Sequence, residues 1–249
     1  MGSARSSGTL LMKRPPILDP RGVPLDASHL ESAPALPADR LTVEAIRRRF
    51  SVPPNWQPEF VDDAYRLDGV PLRPAAVLIA LLDRPGGVTL LLTLRSEALL
   101  THSGQVSFPG GRVDQSDGGV VEAALRETRE EVGIEPDAIE ILGEMPQYTT
   151  GTGYVITPVV ALVDPALDLS RLKLEPAEVA EVFEVPLRFL MDPANHQRRL
   201  FRWRQDDADH QRGFFSMPWR PDPAREQEYF IWGATAAMLR NLYRFLAAE

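Results

Sequence analysis

Short apolar runs bounded by turn-forming residues recur along this chain, and each of them predicts a buried strand. Residues 75–82 (AAVLIALL) are wholly apolar, Pro85-Gly86-Gly87 forms a turn, and residues 88–95 (VTLLLTLR) return as a second strand, which predicts a hairpin. Residues 107–113 contain a backbone bend at Gly110-Gly111 beside another strand. The remaining predicted strands are residues 139–145, residues 154–163, and a second hairpin formed by residues 198–204 and 214–219 around a polar turn at 206–209.

Three other stretches have the features of helices. Residues 41–50 can begin at a cap provided by Asp39 or Thr42, residues 121–132 end at Gly133, and residues 234–246 carry apolar side chains at helical spacing. Strands stand on both sides of the central helix, and a further helix closes the chain. The pattern therefore predicts an α/β fold with a mixed sheet packed between helices.

The first 40 residues differ from the rest because proline recurs among small and polar residues. Such a composition favours an extended chain with little core of its own. We therefore predict that residues 1–40 form a flexible tail that is dispensable for catalysis, and that residues 41–249 form the globular domain.

The composition excludes several classes of protein. The 249 residues include 44% hydrophobic and 25% charged residues, as in globular domains, and the net charge of −8 argues against non-specific nucleic-acid binding. The absence of cysteine excludes disulfides, cysteine-ligated zinc and cysteine nucleophiles, and is compatible with a cytoplasmic location. The longest apolar run, residues 75–82, is too short to span a membrane.

The central predicted helix carries three acids with unusual spacing. Glu127, Glu130 and Glu131 are separated as i, i+3 and i+4, which puts them on one helix face, and we expect the apolar positions to lie on the opposite face. At about 5 Å and an effective dielectric constant of about 20, each pair repels by roughly 3 kcal/mol. A divalent cation relieves this repulsion and also binds phosphates. The alternative is a solvated acidic surface.

Residues 111–134 resemble the Nudix box, in which Arg-Glu-x-x-Glu-Glu-x-Gly follows a glycine, a spacer and an acid. The match includes Arg126 and the three glutamates. The earlier acid is Asp117 rather than glutamate, and eight residues separate it from Arg126 where seven are usual, which leaves the role of Asp117 open.

The likeness narrows to the coenzyme A pyrophosphatases of the Nudix superfamily and extends over about residues 73–246. It is carried by residues 91–96 (LLTLRS), 102–111 (HSGQVSFPGG), 150–154 (TGTGY), 178–187 and 231–235 (IWGAT). Leu100 stands where this subfamily has a basic residue.

The resemblance implies an α/β/α sandwich that cleaves the pyrophosphate of coenzyme A into adenosine 3′,5′-bisphosphate and 4′-phosphopantetheine. It assigns Mg²⁺ or Mn²⁺ to Glu127, Glu130 and Glu131, and gives Arg126 the task of orienting a catalytic glutamate by a salt bridge. Glu178 is the candidate for an assisting acid, with a surface acid before a strand as the alternative. The residues expected near the substrate are Arg95, Gly104, Phe108, Gly110 and Gly111.

The partner implied is a small nucleotide of the coenzyme A class, with no nucleic acid and no membrane, and the resemblance is compatible with a homodimer. Two other functions stay open. One is hydrolysis of another nucleoside diphosphate derivative such as ADP-ribose, and the other is a nucleotide-binding regulatory domain without turnover.

Overall fold

The computed structural model describes residues 15, 17–29, 31–63, 69–97, 104–205 and 207–249. The helices are α1 (Val43–Ser51), α2 (Val120–Val132), α3 (Leu187–Leu190) and α4 (Gly233–Ala247). The strands are β1 (Arg73–Leu82), β2 (Thr89–Arg95), β3 (Val106–Ser107), β4 (Gly110–Arg112), β5 (Ile139–Glu144), β6 (Tyr148–Thr149), β7 (Tyr154–Val163), β8 (Val179–Pro186), β9 (Gln197–Gln205), β10 (Ala208–Trp219) and β11 (Tyr229–Trp232). None of the helices in the described ranges combines the length and the apolar content needed to cross a bilayer.

Strand β1 is the centre of the main sheet. It forms the predicted antiparallel hairpin with β2, and it runs parallel to β7 from the pair Arg73↔Tyr154 to the pair Leu82↔Val163. The strand order is β3-β2-β1-β7-β5, and β4, β6 and β8 pair with β1, β7 and β2 respectively. The prediction of a mixed sheet is therefore confirmed.

Alternate residues of β1 face two different cores because successive side chains of a strand point to opposite faces. Leu78 and Ala80 pack in the core with Ala123 of α2, whereas Ile79 and Leu81 belong to the core that contains α4. One helix layer covers each face of the sheet, so the predicted α/β/α arrangement is confirmed.

A second, three-stranded sheet of β9, β10 and β11 lies against α4. The predicted hairpin of β9 and β10 is confirmed, although its strands are longer than expected; Asp206, in the predicted turn, lies outside the described residues. Strand β11 was not predicted from the pattern, nor was the short β6. Each is four residues or fewer, too short to show a period of its own.

The predicted helix ends agree with the structure. The side chain of Thr42 accepts a hydrogen bond from the backbone N–H of Ala45 at the start of α1. Gly133 ends α2 with a left-handed φ of 74°, a conformation that glycine adopts without steric cost.

The described part of the N-terminal segment makes contacts with the domain that its composition did not predict; the division into a tail over residues 1–40 and a domain over residues 41–249 stays a prediction. Asp26 donates its backbone N–H to the carbonyl of Arg198 at 2.9 Å, and the N–H of Leu200 donates to Pro24 at 3.0 Å. Glu31 forms a salt bridge to Arg240 at 2.6 Å. The segment lacks a periodic pattern because partners on β9 and α4, distant in sequence, provide its contacts. Residues 1–14 lie outside the described residues.

Candidate active site

Helix α2 positions the three acids unequally. The side chain of Glu130 is 60% exposed, that of Glu127 is 17% exposed and that of Glu131 is 4% exposed. The expectation that all three project from a face opposite the core is therefore wrong. Ala123 and Ala124 are buried on either side of Glu131 around the helix axis, so the sheet covers the same side of α2 that carries this acid.

Strand β4 passes directly over the buried Glu131 and the half-buried Glu127, and its glycines make this approach sterically feasible. The backbone N–H of Gly110 donates to Oε2 of Glu131 at 3.0 Å. A methyl group on Gly111 would lie 2.5 Å from the carboxylate of Glu127, and one on Gly110 would collide with the carbonyl oxygen of Ala76. Gly110 also has a φ of 149°, which side chains disfavour. The two glycines thus shape the site.

The guanidinium of Arg126 ties the acids of this region together. Its Nη1 donates to Glu127 Oε1 and to Glu130 Oε2, each at 3.0 Å, and its Nη2 donates to the carbonyl of Arg112 at 3.0 Å. The expected salt bridge from Arg126 to a glutamate is present, and Glu127 is its partner inside the site.

Asp117, whose role the sequence left open, lies against the guanidinium of Arg126. Its two carboxylate oxygens accept from Nε and Nη2 of Arg126 at 2.9 and 3.0 Å, a bidentate pair. The hydrogen bonds from Arg126 lower the pKa of Asp117. The turn before α2 brings Asp117 to the guanidinium of Arg126 across the longer spacer.

The electrostatic environment of Glu131 favours its neutral form. Burial is the main cause that raises its pKa to about 7; the Gly110 N–H and Arg95 oppose this rise, and the negative charges of Glu178 and Glu127 contribute to it. Burial also raises the pKa of Glu127, although the hydrogen bond from Arg126 counteracts this. A buried and a half-buried acid, both with raised pKa values under one strand, are typical of a functional site.

Glu178 and Arg95 are brought to the same place by β8 and β2. Val179 pairs with Arg95 across the two strands, and the carbonyl of Glu178 accepts from the N–H of Ser96 at 2.8 Å. The negative charge of Glu178 acts on both Glu127 and Glu131. Nη1 of Arg95 lies 3.9 Å from Glu131 Oε1, with 25% of the side chain exposed. Both residues therefore border the buried acids.

The other residues expected near the substrate are placed differently. Gly104 has a φ of 66° and donates its N–H to the carbonyl of Arg95 at 3.1 Å, so it adjoins the site. Phe108 is only 2% exposed and belongs to the hydrophobic core, and its expected place near the substrate stays a prediction. Its apolar ring stabilises the sheet below the glycine bend. Leu100, His102 and Ser103 lie outside the described residues.

An acid-bearing helix beneath a glycine bend, on a mixed sheet covered by helices, defines a Nudix-type domain. The family model described as the NUDIX domain matches residues 71–205, more than half of the chain. The chain belongs to the Nudix family, and it is a Nudix hydrolase. The sequence prediction is confirmed at this level.

Curated relatives agree with this assignment. The chain is 41% identical over 170 residues to the uncharacterized Nudix hydrolase NudL of Cronobacter sakazakii, a match that covers 68% of this chain and 81% of the relative. It is 42% identical, with the same coverage, to the protein of that name from Klebsiella pneumoniae. Among solved structures, the Nudix hydrolase RenU of M. smegmatis matches 47% of this chain and 72% of its own, with 24% identity and a TM-score of 0.39.

Nudix hydrolases use divalent metals such as Mg²⁺ or Mn²⁺. As they stand, no three His, Cys, Asp or Glu side chains among the described residues are arranged to hold a metal ion. Glu127 and Glu131 nevertheless fit a cation by charge and chemistry, because they are shielded oxygen ligands whose pKa values burial raises and Glu178 raises further. Glu130 is exposed and paired with Arg126.

Proposed function

We propose that this protein hydrolyses the pyrophosphate bond of coenzyme A or its derivatives in a metal-dependent reaction. The products are adenosine 3′,5′-bisphosphate and 4′-phosphopantetheine. The observation that carries the proposal is the pair formed by the buried Glu131 and the half-buried Glu127 under the Gly110-Gly111 bend, with Arg95 beside them. The resemblance of residues 91–96 and 102–111 to coenzyme A pyrophosphatases supports the choice of substrate.

The residues divide the work of hydrolysis. Mg²⁺ or Mn²⁺, when bound by Glu127, Glu130 and Glu131, supplies neutralisation of the pyrophosphate charge. Arg95 binds a phosphate oxygen, and Arg126 orients Glu127 through its 3.0 Å hydrogen bond. Water attacks one phosphorus, the bond from that phosphorus to the bridging oxygen breaks, and the departing phosphate takes the bonding electrons. Glu178 accepts a proton from the attacking water.

A panel of substrates tests the choice of coenzyme A. Coenzyme A, acetyl-coenzyme A, ADP-ribose and a dinucleoside polyphosphate are compared by kcat/KM with Mg²⁺ and with Mn²⁺, and the products are separated by chromatography. We expect the highest value for coenzyme A or its acylated form. A clear preference for ADP-ribose would overturn the substrate, and binding of nucleotides without turnover of any would indicate the regulatory domain instead.

Variants of α2 and its flank test the site itself. We expect Glu131→Gln to lower kcat at least about 100-fold, which corresponds to about 2.7 kcal/mol of transition-state stabilisation, because the amide keeps the shape and loses the charge. Glu135→Gln is the matched control, since that side chain is 66% exposed and its salt bridge is to Arg129 on the surface. Near-normal turnover of Glu131→Gln at low Mg²⁺ would show that these acids do not bind the metal.

A further inference from the structure

A cavity of about 630 Å³ lies between the β9–β10 hairpin and the segment that precedes β1. Sites for small molecules and cofactors have volumes of about 300–1,000 Å³, so this cavity is large enough for a nucleoside. We call it the hairpin cavity and define it by Glu59, Phe60, Asp63, Trp203, His210 and Arg212 among the residues that line it.

The hairpin cavity is separate from the acids of α2. Ten of its thirteen described lining residues lie outside residues 71–205, the part of the chain that matches the NUDIX domain. Phe215 at its base belongs to the core that α4 shares with the sheet, whereas α2 packs on the opposite face. Phe60 packs edge-on against Phe215 with ring centroids 5.7 Å apart. The cavity is therefore an addition to the Nudix domain, not a part of the acidic site.

Aromatic rings provide one wall of the hairpin cavity. Trp203 and His210 are directly paired across β9 and β10, and their rings are stacked with centroids 5.3 Å apart and an angle of 17° between the planes. Flat aromatic faces of this kind bind nucleobases by stacking, whichever base is present, because every base has a π-face.

The charged groups of the cavity are already paired with each other or with neighbours. Arg212 Nη2 lies 3.0 Å from Asp63 Oδ1, and Asp63 also accepts from the Tyr148 hydroxyl and from the Gly151 N–H. Glu59 is held by Arg240 at 2.8 Å. Among the described lining residues, the paired guanidinium and carboxylate groups leave no excess charge to attract a free phosphate, but they offer donors and acceptors to the edge of a neutral ring.

From this combination we infer that the hairpin cavity binds a purine ring. The stacked pair Trp203–His210 supplies the flat face, and Asp63 with Arg212 supplies hydrogen bonds to the ring edge. The purine can belong to the nucleotide end of the substrate or to a free purine nucleoside. Only the first of these two sources rests on the proposed function.

Calorimetric titration with adenosine tests the inference on the full chain. Adenosine has no pyrophosphate bond, so no hydrolysis contributes to the signal. We expect the wild type to bind adenosine with a Kd below about 1 mM. His210→Ala is expected to weaken binding at least about tenfold, the lower range for the loss of one base–aromatic stack. Asp209→Ala is the matched control, because this exposed neighbour lies on the same strand and does not line the cavity.

Each outcome of the adenosine titration either supports or overturns the proposed purine site. Weaker adenosine binding by His210→Ala, with normal binding by Asp209→Ala and by the ring-conserving Trp203→Phe, supports the site. No binding by the wild type at millimolar adenosine, or equal binding by wild type and His210→Ala, overturns it. Thermal melts of each variant verify that the fold is retained.

Kinetics with coenzyme A then identify the source of the purine. A higher KM for His210→Ala with unchanged kcat assigns the cavity to the base of the substrate. Unchanged KM and kcat, with adenosine binding lost, assign it to a free nucleoside. Absence of coenzyme A hydrolysis by the wild type refutes the proposed function without affecting the adenosine result.

Discussion

Arg240 and Glu131 are both charged side chains with 4% of their surface exposed, but their surroundings differ. Arg240 forms salt bridges to Glu31 at 2.6 Å and to Glu59 at 2.8 Å, and its Nη1 donates to Nδ1 of His196 at 3.1 Å. Glu131 receives one backbone N–H at 3.0 Å, and its nearest cation, Arg95, is 3.9 Å away.

The two side chains differ in how completely their buried charge is compensated, which is what we expect of a structural cluster on the one hand and a functional site on the other. Burying a charge is costly unless partners compensate for the lost water, and the acids around Arg240 provide that compensation. The site around Glu131 instead keeps an excess of acidic groups. Burial is the main cause that raises the pKa of Glu131 to about 7, and the charges of Glu178 and Glu127 add to it. Such an excess reduces stability in the absence of a ligand and favours the binding of a cation.

The Arg240 cluster, formed by Arg240, Glu31, Glu59 and His196, contains a buried histidine whose protonation state its surroundings determine. Burial is the main cause that lowers the pKa of His196 to about 4, and the charge of Arg240 lowers it as well. The ring is therefore neutral at pH 7. Its Nε2 then donates to the carbonyl of Leu190 at 2.7 Å, and Nδ1 accepts from Arg240.

The largest change in the free energy of unfolding is expected when the guanidinium of Arg240 is removed from its buried salt bridges. Arg240→Met keeps most of the side-chain volume but leaves Glu31 and Glu59 without their cation. We expect it to lower the free energy of unfolding by about 3–5 kcal/mol, measured by urea denaturation. Arg244→Ala is the control, since this side chain is 49% exposed and its pair with Glu59 is worth about 1 kcal/mol or less. Equal stabilities of the two variants would contradict the role of the cluster.

The same cluster holds the N-terminal segment against the domain through Glu31. Deletion of residues 1–40, which the sequence alone predicted to be dispensable, removes Glu31 from Arg240. We expect the shortened chain to be less stable than the full chain, with a lower Tm. A shortened chain that melts at the same temperature would show that the docked segment contributes little.

A somewhat smaller change in the free energy of unfolding is expected when the negative charge of Glu131 is removed. Because the pKa of Glu131 is about 7 in the folded chain and near 4.5 in the unfolded chain, the folded state binds more protons between these values. The wild type therefore loses stability as pH rises from about 4.5 to 7. Glu131→Gln should remove this loss and be more stable at pH 7.5 by on the order of 3 kcal/mol.

The stability difference between Glu131→Gln and wild type is measured in a chelator across this pH range. Glu135→Gln serves as the control and should follow the wild type throughout. A difference that does not grow between pH 4.5 and pH 7 would show that Glu131 is ionised at low pH like an ordinary acid.

The smallest effect is expected from Asp117, a positioning residue that acts through Arg126. Asp117→Asn keeps the shape but weakens the bidentate pair, so Arg126 orients Glu127 less well. We expect kcat to fall about tenfold, equivalent to about 1.4 kcal/mol, with KM unchanged. Asp117→Glu keeps the charge and should restore most of kcat. A parallel loss in both variants would indicate damage to the turn before α2 rather than to the salt bridge.

Periodicity along the chain was sufficient to predict the main elements. The hairpin of β1 and β2, the strand β7, the helix α2 with its end at Gly133, and the helix α4 were each predicted from local sequence, because side-chain spacing and capping residues act over a few positions. The spacing of Arg126, Glu127, Glu130 and Glu131 likewise identified the Nudix family, which the match over residues 71–205 confirms.

Other properties were decided only by tertiary contacts. Helical spacing fixes the angles between Glu127, Glu130 and Glu131 around α2, but it does not determine which side the sheet and β4 cover, so the burial of Glu131 was not predicted. The docking of the N-terminal segment depends on Glu31 and Arg240, which are 209 positions apart. The hairpin cavity likewise combines Asp63 with Arg212, 149 positions away. Such pairs leave no local pattern, because the energy of an ion pair depends on distance in space and not on separation along the chain.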